Sequence, residues 1–314
     1  MSPSEHAPPR GPSTLVSSFL IALLCLIWGS TWLVIKWGLA DLPPFTAAGV
    51  RFASAWLVFA ILAPVLARSE GGERPPWRLR LSHGLLQLAA SYGIVYWCET
   101  RLPSGLVSLL WSVFPLLMAV SGHYFLDGER LSARQWSGFL LGFGGVGMLF
   151  ATDLRDIGPG AVPAGMVLML SPIVVVVANT LVKRHGGHVS SVLLNRDGMS
   201  IGAMALLAAG ALFESDASFD WTPRAIGSVA YLALVGSVVS FGLYFWLLRY
   251  VPAYRLSVIA YVTPMIALGL GAWVDSEPLG ANTLAGAGLI LVGVALAVAG
   301  RRHAPATTAA PAVD

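Results

Sequence analysis

Charge is what this chain is short of. Only 11% of its 314 residues are Asp, Glu, Lys or Arg, against about 25% in a soluble globular domain, and that deficit excludes a soluble enzyme. Cysteine is nearly absent. Cys25 and Cys98 each sit inside an apolar run, which leaves no material for a disulfide framework or a Cys-based zinc site. The six histidines (His6, His83, His123, His185, His188 and His303) fall in tails, loops or the ends of apolar runs, so paired buried haem ligands are excluded as well. No H-E-x-x-H or Walker A string occurs. Gly142-Phe-Gly144-Gly-Val-Gly147 fits the dinucleotide pattern, yet no strand precedes it, and close helix packing is the better reading. Neither cofactor nor metal is expected. A net charge of only +3 gives nucleic acid nothing to bind.

What the chain has is apolar length. Hydrophobic residues make up 56% of it, with 34 glycines and 11 tryptophans, at a mean hydropathy of +0.73. Runs long enough to cross a bilayer fall at about 15–37, 45–67, 81–100, 104–125, 135–151, 160–182, 190–213, 225–248, 255–274 and 281–299, ten in all. At about 20 residues per span they use roughly 200 residues, and no room remains for a soluble catalytic domain. The first run is longer than a signal-peptide core and reads as a retained helix. Residues 1–14, rich in proline, and the Ala/Pro/Thr tail 301–314 read as disordered. The expected fold is an all-α, polytopic membrane protein with ten transmembrane helices.

Positive charge fixes an expected orientation, because Lys and Arg are retained on the cytoplasmic side. With the N-terminus inside, that face carries Arg10, Arg68, Arg74, Arg78, Arg80, Arg130, Arg134, Lys183, Arg184, Arg196, Arg249, Arg255, Arg301 and Arg302, fourteen of the 19 Lys and Arg residues. Arg101, Arg155 and Arg224 face the other way. Both termini are therefore expected in the cytoplasm.

The chain also repeats itself. Asp127, Glu129, Leu131, Gly138, Leu141, Gly145 and Val146 match Asp275, Glu277, Leu279, Gly286, Leu289, Gly293 and Val294, each at an offset of 148. Upstream, Pro103, Ser108, Val113 and Pro115 match Pro252, Ser257, Val262 and Pro264 at 149. A unit of five helices is odd, so its second copy enters the membrane the other way round. Residues 15–151 and 152–300 are thus expected as two inverted five-helix repeats. This plan recurs in secondary transporters, whose substrate site lies near the midplane between the halves.

Trp28-Gly-Ser-Thr-Trp32 through Lys36, then Leu42-Pro43-Pro44, Arg51-Phe52, Pro115, Pro264 and both Gly-rich closing spans give the chain its likeness. Over nearly its whole length it resembles the ten-helix EamA-type transporters of the drug/metabolite transporter superfamily. The resemblance implies export of small metabolites, often amino acids, from the bacterial cytoplasm across the plasma (bacterial inner) membrane by alternating access. One departure is visible. The sixth span reads Leu170-Ser-Pro172-Ile-Val-Val-Val-Val-Ala-Asn179, where such transporters commonly carry aromatic residues facing the cavity.

Polar and aromatic side chains at helical spacing mark the faces that meet protein or a water-filled cavity. In the fourth span these are Ser104, Ser108, Trp111, Ser112 and Pro115; in the ninth, Ser257, Tyr261 and Pro264. Trp28, Thr31 and Trp32 come from the first span, Tyr92, Tyr96 and Glu99 from the third, and Ser237, Ser240 and Tyr244 from the eighth. Asn179 and Thr263 complete the expected substrate cavity, and Pro115, Pro172 and Pro264 are its candidate hinges. Each hydroxyl also has a plainer reading as helix packing, and each proline as a static kink.

Lys36 and Arg51 are costly charges inside spans and suit a substrate carboxylate or phosphate, while snorkelling to headgroups would explain them without one. Glu99 is the candidate proton site. The expected partners are a small-molecule substrate and the lipid bilayer, with a monomer as the simplest state. A ligand sensor, an intramembrane enzyme and an importer stand as the alternatives.

Overall fold

The computed structural model describes residues 12–126, 130–151, 153–251, 253–256 and 258–298. The expected disordered tails, apart from residues 12–14, lie outside these, as do Asp127, Glu129, Pro252 and Ser257 of the repeat. The described residues are helical, with no strand beyond one isolated bridge between Glu73 and Val189.

In chain order the helices are α1 (Thr14–Gly38), α2 (Pro44–Glu70), α3 (Trp77–Ser82), a π-helical stretch (His83–Ala90), α4 (Ser91–Glu99), α5 (Ser104–Trp111), α6 (Phe114–Phe125), α7 (Ala133–Ala151) and α8 (Asp153–Ile157). They continue with α9 (Ala161–Leu168), α10 (Leu170–His185), α11 (Ser191–Phe213), α12 (Pro223–Ala233), a second π-helical stretch (Leu234–Val239), α13 (Ser240–Tyr250), α14 (Ala253–Leu256), α15 (Ile259–Val274) and α16 (Ala281–Val298).

Local chemistry sets the helix starts. The hydroxyls of Ser13, Ser190 and Thr222 accept from the backbone N–H three residues on, and Pro44 and Pro223 take the first helical position, where a missing N–H costs nothing. Prolines also set two of the interruptions. A proline deprives the carbonyl four residues back of its donor and crowds it. For Pro115 that residue is Trp111, where α5 ends, and for Pro172 it is Leu168, where α9 ends. Pro264 differs, lying inside α15 without ending it.

Among the described residues, six helical stretches are long and apolar enough to cross a membrane: Thr14–Gly38, Pro44–Glu70, Ser104–Phe125, Ala161–His185, Ser191–Phe213 and Pro223–Tyr244. Ile259–Val274 and Ala281–Ala297 are shorter apolar helices. Leu15, Ile61, Val65, Leu140 and Trp273 are each more than two-thirds exposed. An apolar exterior of this extent suits lipid, which solvates hydrocarbon and forces backbone groups to pair within helices.

Two helix pairs frame the molecule. α2 packs on α11, and each supplies an acid at its C-terminal end that caps the other's N-terminus. Glu214 accepts from Phe45 N (2.7 Å), Thr46 N (2.8 Å) and Thr46 Oγ1 (2.7 Å). At the far end Glu70 accepts from Ser191 N (3.2 Å), Val192 N (3.0 Å) and the hydroxyls of Ser190 and Ser191. The two helices are therefore antiparallel. Beside each cap backbone bonds tie the flanking loops: Asp220 N donates to Asp41 O (3.0 Å) at one end, and at the other Glu73 N donates to His188 O (2.9 Å) and Ser190 N to Glu73 O (2.8 Å).

The second pair is α7 on α16, packed through glycine. A Cβ at Gly138 would stand 2.6 Å from Gly293 O, and one at Gly145 would stand 2.7 Å from Gly286 O. Neither position has room for a side chain, so the backbones meet directly.

Candidate functional site

Between these frames, α1, α2, α4, α5 and α12–α13 gather the polar and aromatic residues. Arg51 lies on α2 and is only 2% exposed, which rules out snorkelling. Its Nε donates to Ser237 Oγ and its Nη1 to the Tyr96 hydroxyl, both at 3.3 Å. The guanidinium carbon stands 5.0 Å from the Tyr92 ring centre and 5.3 Å from that of Phe52, two rings that themselves meet edge to face.

The second π-helical stretch helps place this contact. It has an extra residue in its turn, so the Ser237 hydroxyl donates five residues back, to Leu232 O at 2.9 Å, and turns its lone pair to Arg51. A buried cation needs compensation, and here hydroxyls and π faces supply it. Among the described residues no carboxylate lies within ion-pair distance of Arg51.

Glu99, the last residue of α4, is 3% exposed, and neither carboxylate oxygen has a hydrogen-bond partner. Nearby, Lys36 Nζ meets Glu277 Oε1 at 3.1 Å. Glu277 also accepts from Ser104 N (2.6 Å) and Gly105 N (3.0 Å), so one carboxylate ties α1 and the α15–α16 connection to the start of α5. Its negative charge sits where a helix N-terminus favours it.

Trp28 and Trp32 of α1 stand between two sets of rings. Trp32 faces Trp111 of α5 at 6.1 Å between ring centres, and Trp28 faces Tyr244 of α13 at 5.4 Å. Trp111 stacks on Phe114 and donates from Nε1 to Ser171 Oγ (3.0 Å), which is bonded to Ser91 Oγ (2.8 Å).

Not every expected lining residue joins this group. The Tyr261 hydroxyl donates to Val294 O at 3.2 Å, so this side chain turns to α16. Ser112 and Thr31 spend their hydroxyls on carbonyls of their own helices, Leu109 O and Trp28 O. Ser108 Oγ and Thr263 Oγ1 are buried without a partner, and Asn179 is half-buried on α10.

Ser171, Phe52 and Glu277 were not among the cavity candidates, whereas Ser237 was, in the stripe of the eighth span. Glu277 had a signal, as part of the repeated Asp-x-Glu-x-Leu. Ser171 and Phe52 had only their adjacency to Pro172 and Arg51.

Two cavities open at the end of the molecule where α1 meets α2. The larger, about 730 Å³, is lined among others by Asp41, Phe45, Trp97, Thr100, Arg101 and Glu214. A smaller one of about 250 Å³ lies against Pro103, Leu106 and Glu277. Neither is walled by Trp28, Trp32 or Arg51.

An apolar exterior over a helical interior of aromatic rings, hydroxyls and sparse buried charge defines a polytopic helical membrane protein. Its family follows from likeness to known proteins. The profile of the EamA-like transporter family matches twice, over residues 15–151 and 163–299. The chain belongs to that family, and it is a membrane transporter rather than an enzyme.

Among its relatives, the inner membrane transporter YedA of Escherichia coli K12, named as uncharacterized, is 31% identical over 294 residues, 90% of each chain. YoaV of Bacillus subtilis, also named an uncharacterized transporter, is 26% identical over 87% of this chain and 94% of its own. A probable amino-acid metabolite efflux pump of Salmonella typhimurium is 27% identical over 90% of this chain and 95% of its own. One solved crystal structure, at 21% identity, superposes with a TM-score of 0.65 over 91% of this chain and 97% of that one, a likeness of fold alone.

Proposed function

We propose that this chain is a secondary transporter of the plasma membrane. Two inverted five-helix halves, residues 15–151 and 152–300, carry a small metabolite outward by alternating access, and both termini are cytoplasmic. Amino acids or related compounds are the substrate class, in keeping with the printed name of the Salmonella relative.

The observation that carries the reading is the exchange of contacts between the ends of the α2–α11 pair. Adding 147 to Glu73 gives Asp220, and adding 147 to Asp41 gives His188; the bond from Asp220 N to Asp41 O and the bond from Glu73 N to His188 O are therefore one contact made twice, at opposite ends. The glycine seam follows the same rule. An offset of 148 turns Gly138 into Gly286 and Gly145 into Gly293, and the pairs Gly138–Gly293 and Gly145–Gly286 exchange under it. Helix starts keep the spacing, from Thr14 to Ala161, Pro44 to Ser191, Trp77 to Pro223, Ser104 to Ala253 and Ala133 to Ala281. Contacts that swap ends in this way support a two-fold axis in the membrane plane, the symmetry by which inverted repeats expose one site to either side.

The substrate site in this reading is the space between Arg51, Trp28, Trp32 and Trp111. Purified protein in liposomes loaded with a mixture of tritiated L-amino acids should exchange label for external unlabelled amino acids, and Trp111→Ala should slow that exchange without loss of folding. Absence of exchange in either direction overturns the proposal. Orientation has its own test, in which Ser218→Cys reacts with an impermeant maleimide from outside and His188→Cys reacts only after permeabilisation.

A further inference from the structure

A buried carboxylate with no donor aimed at either oxygen is an unstable arrangement unless it holds a proton or awaits a cation. Glu99 is such a group, and the transporter reading gives it no other task. On α4, the side chains at Tyr92, Tyr96 and Glu99 share one face, and Tyr96 already holds Arg51. The charged groups that act on Glu99 are Lys36 of α1, Glu277 from the α15–α16 connection and Arg51 of α2; Arg101, two residues on in the chain, acts on the neighbouring Cys98. Lys36 and Glu277 are paired with each other. That leaves Arg51 and Glu99, a buried cation and a buried acid, with no bond between them.

We propose that Glu99 is the proton-binding group that couples transport, and that its carboxylate, once deprotonated, takes the ammonium of an amino acid whose carboxylate Arg51 holds. The inference rests on the transporter reading and deepens it. Arg51 is built to hold a carboxylate, with a planar fork and an unneutralised charge. Glu99 supplies the opposite pole of a zwitterion.

Proton and ammonium compete for one carboxylate, so the chain exchanges them. On the outer side the amino acid leaves and a proton forms an O–H bond on Glu99. On the cytoplasmic side that bond breaks, the proton enters the cytoplasm, and the next amino acid binds. One proton moves in for each neutral zwitterion moved out, no electrons are transferred, and the proton gradient is the driving force. The route to the outer side is short, since Trp97, Thr100 and Arg101 on either side of Glu99 line the larger cavity.

The test uses full-length protein in liposomes loaded with tritiated L-amino acids and pyranine. An acidic step outside should speed efflux several-fold in the wild type. Glu99→Gln, a neutral isostere checked for folding by gel filtration, should show no acceleration, and Glu99→Asp should retain it. In weakly buffered detergent, adding the amino-acid mixture should release about one proton per wild-type chain and none from Glu99→Gln. Acceleration or proton release that persists in Glu99→Gln overturns the inference, as does wild-type efflux indifferent to the gradient. A wild type that performs no exchange even without a gradient overturns the transporter reading, and this inference falls with it.

Discussion

Removing one cap of the α2–α11 pair tests the frame quantitatively. Glu214→Ala takes the acceptor from two backbone donors and one hydroxyl at the start of α2. Loss of an N-terminal cap costs about 0.5–2 kcal/mol, and hydrogen bonds to a charged group are worth about 1.5–3 kcal/mol each before ordering of the long Glu side chain is subtracted. A net loss of about 2 kcal/mol is expected. Glu214→Gln keeps an acceptor but loses the charge that favours a helix N-terminus, and about half that loss is expected.

Glu70→Ala removes the equivalent cap from α11, so the same cost, about 2 kcal/mol, should follow. The two caps sit at opposite ends of a 27-residue helix, about 40 Å apart at 1.5 Å per residue, a separation at which effects add. The double variant should then lose about 4 kcal/mol. Reversible unfolding in mixed micelles, followed by tryptophan fluorescence, measures all four variants. A double variant no weaker than either single one would refute independent caps. A cost several-fold larger at one end than at the other would refute their equivalence.

Arg51→Lys keeps the charge but loses the fork shared by Ser237 and Tyr96; amino-acid exchange at low concentration should fall about tenfold, equivalent to about 1.4 kcal/mol. Gly138→Leu drives a side chain into the α16 backbone, and micelle unfolding should show a loss of about 1–3 kcal/mol, while Gly144→Leu, whose Cβ meets nothing within 4 Å, should change stability by less than about 0.5 kcal/mol. In the α1–α2 loop, the Arg224 guanidinium, bonded at 2.7 and 2.9 Å, and then the Thr222 hydroxyl hold the Asp41 carboxyl down to about 2 from an ordinary 3.8. A carboxylate depressed in the folded state contributes stability above its unfolded value and loses it as pH falls through its folded value. Asp41→Asn should therefore be less stable than wild type at pH 6, with the difference gone near pH 2.

Helix positions were legible because bilayer thickness dictates the length of an apolar run. The seventh run, marked out as 190–213, is α11 at Ser191–Phe213. The same hydropathy hid the internal geometry. Nothing in His83–Ala90 or Leu234–Val239 announces a π-helical stretch, since an extra residue per turn leaves composition unchanged, yet the second of them brings Ser237 to Arg51. The caps were hidden for another reason: Glu70 and Glu214 serve helices more than a hundred residues away, and no local pattern encodes that. Arg51 was legible as a charge in a span, but its depth was not, because sequence spacing says where along a helix a residue lies and not which neighbours close over it.

The proposed two-fold frame also explains why the chemistry is not two-fold. Counting 147 from Arg51 reaches Gly198, and counting 149 from Glu99 reaches Leu248, so neither charge has a counterpart in the second half. Gly198 instead lies against the His83 ring. Duplicated caps, loop bonds and glycine seams make two equivalent end states geometrically possible. A duplicated Arg51 and Glu99 would bring two cations and two acids into one low-dielectric space, each needing its own compensation. In the proposed reading a single pair gives one zwitterion one site, and the symmetry of the frame decides only which side of the membrane that site faces.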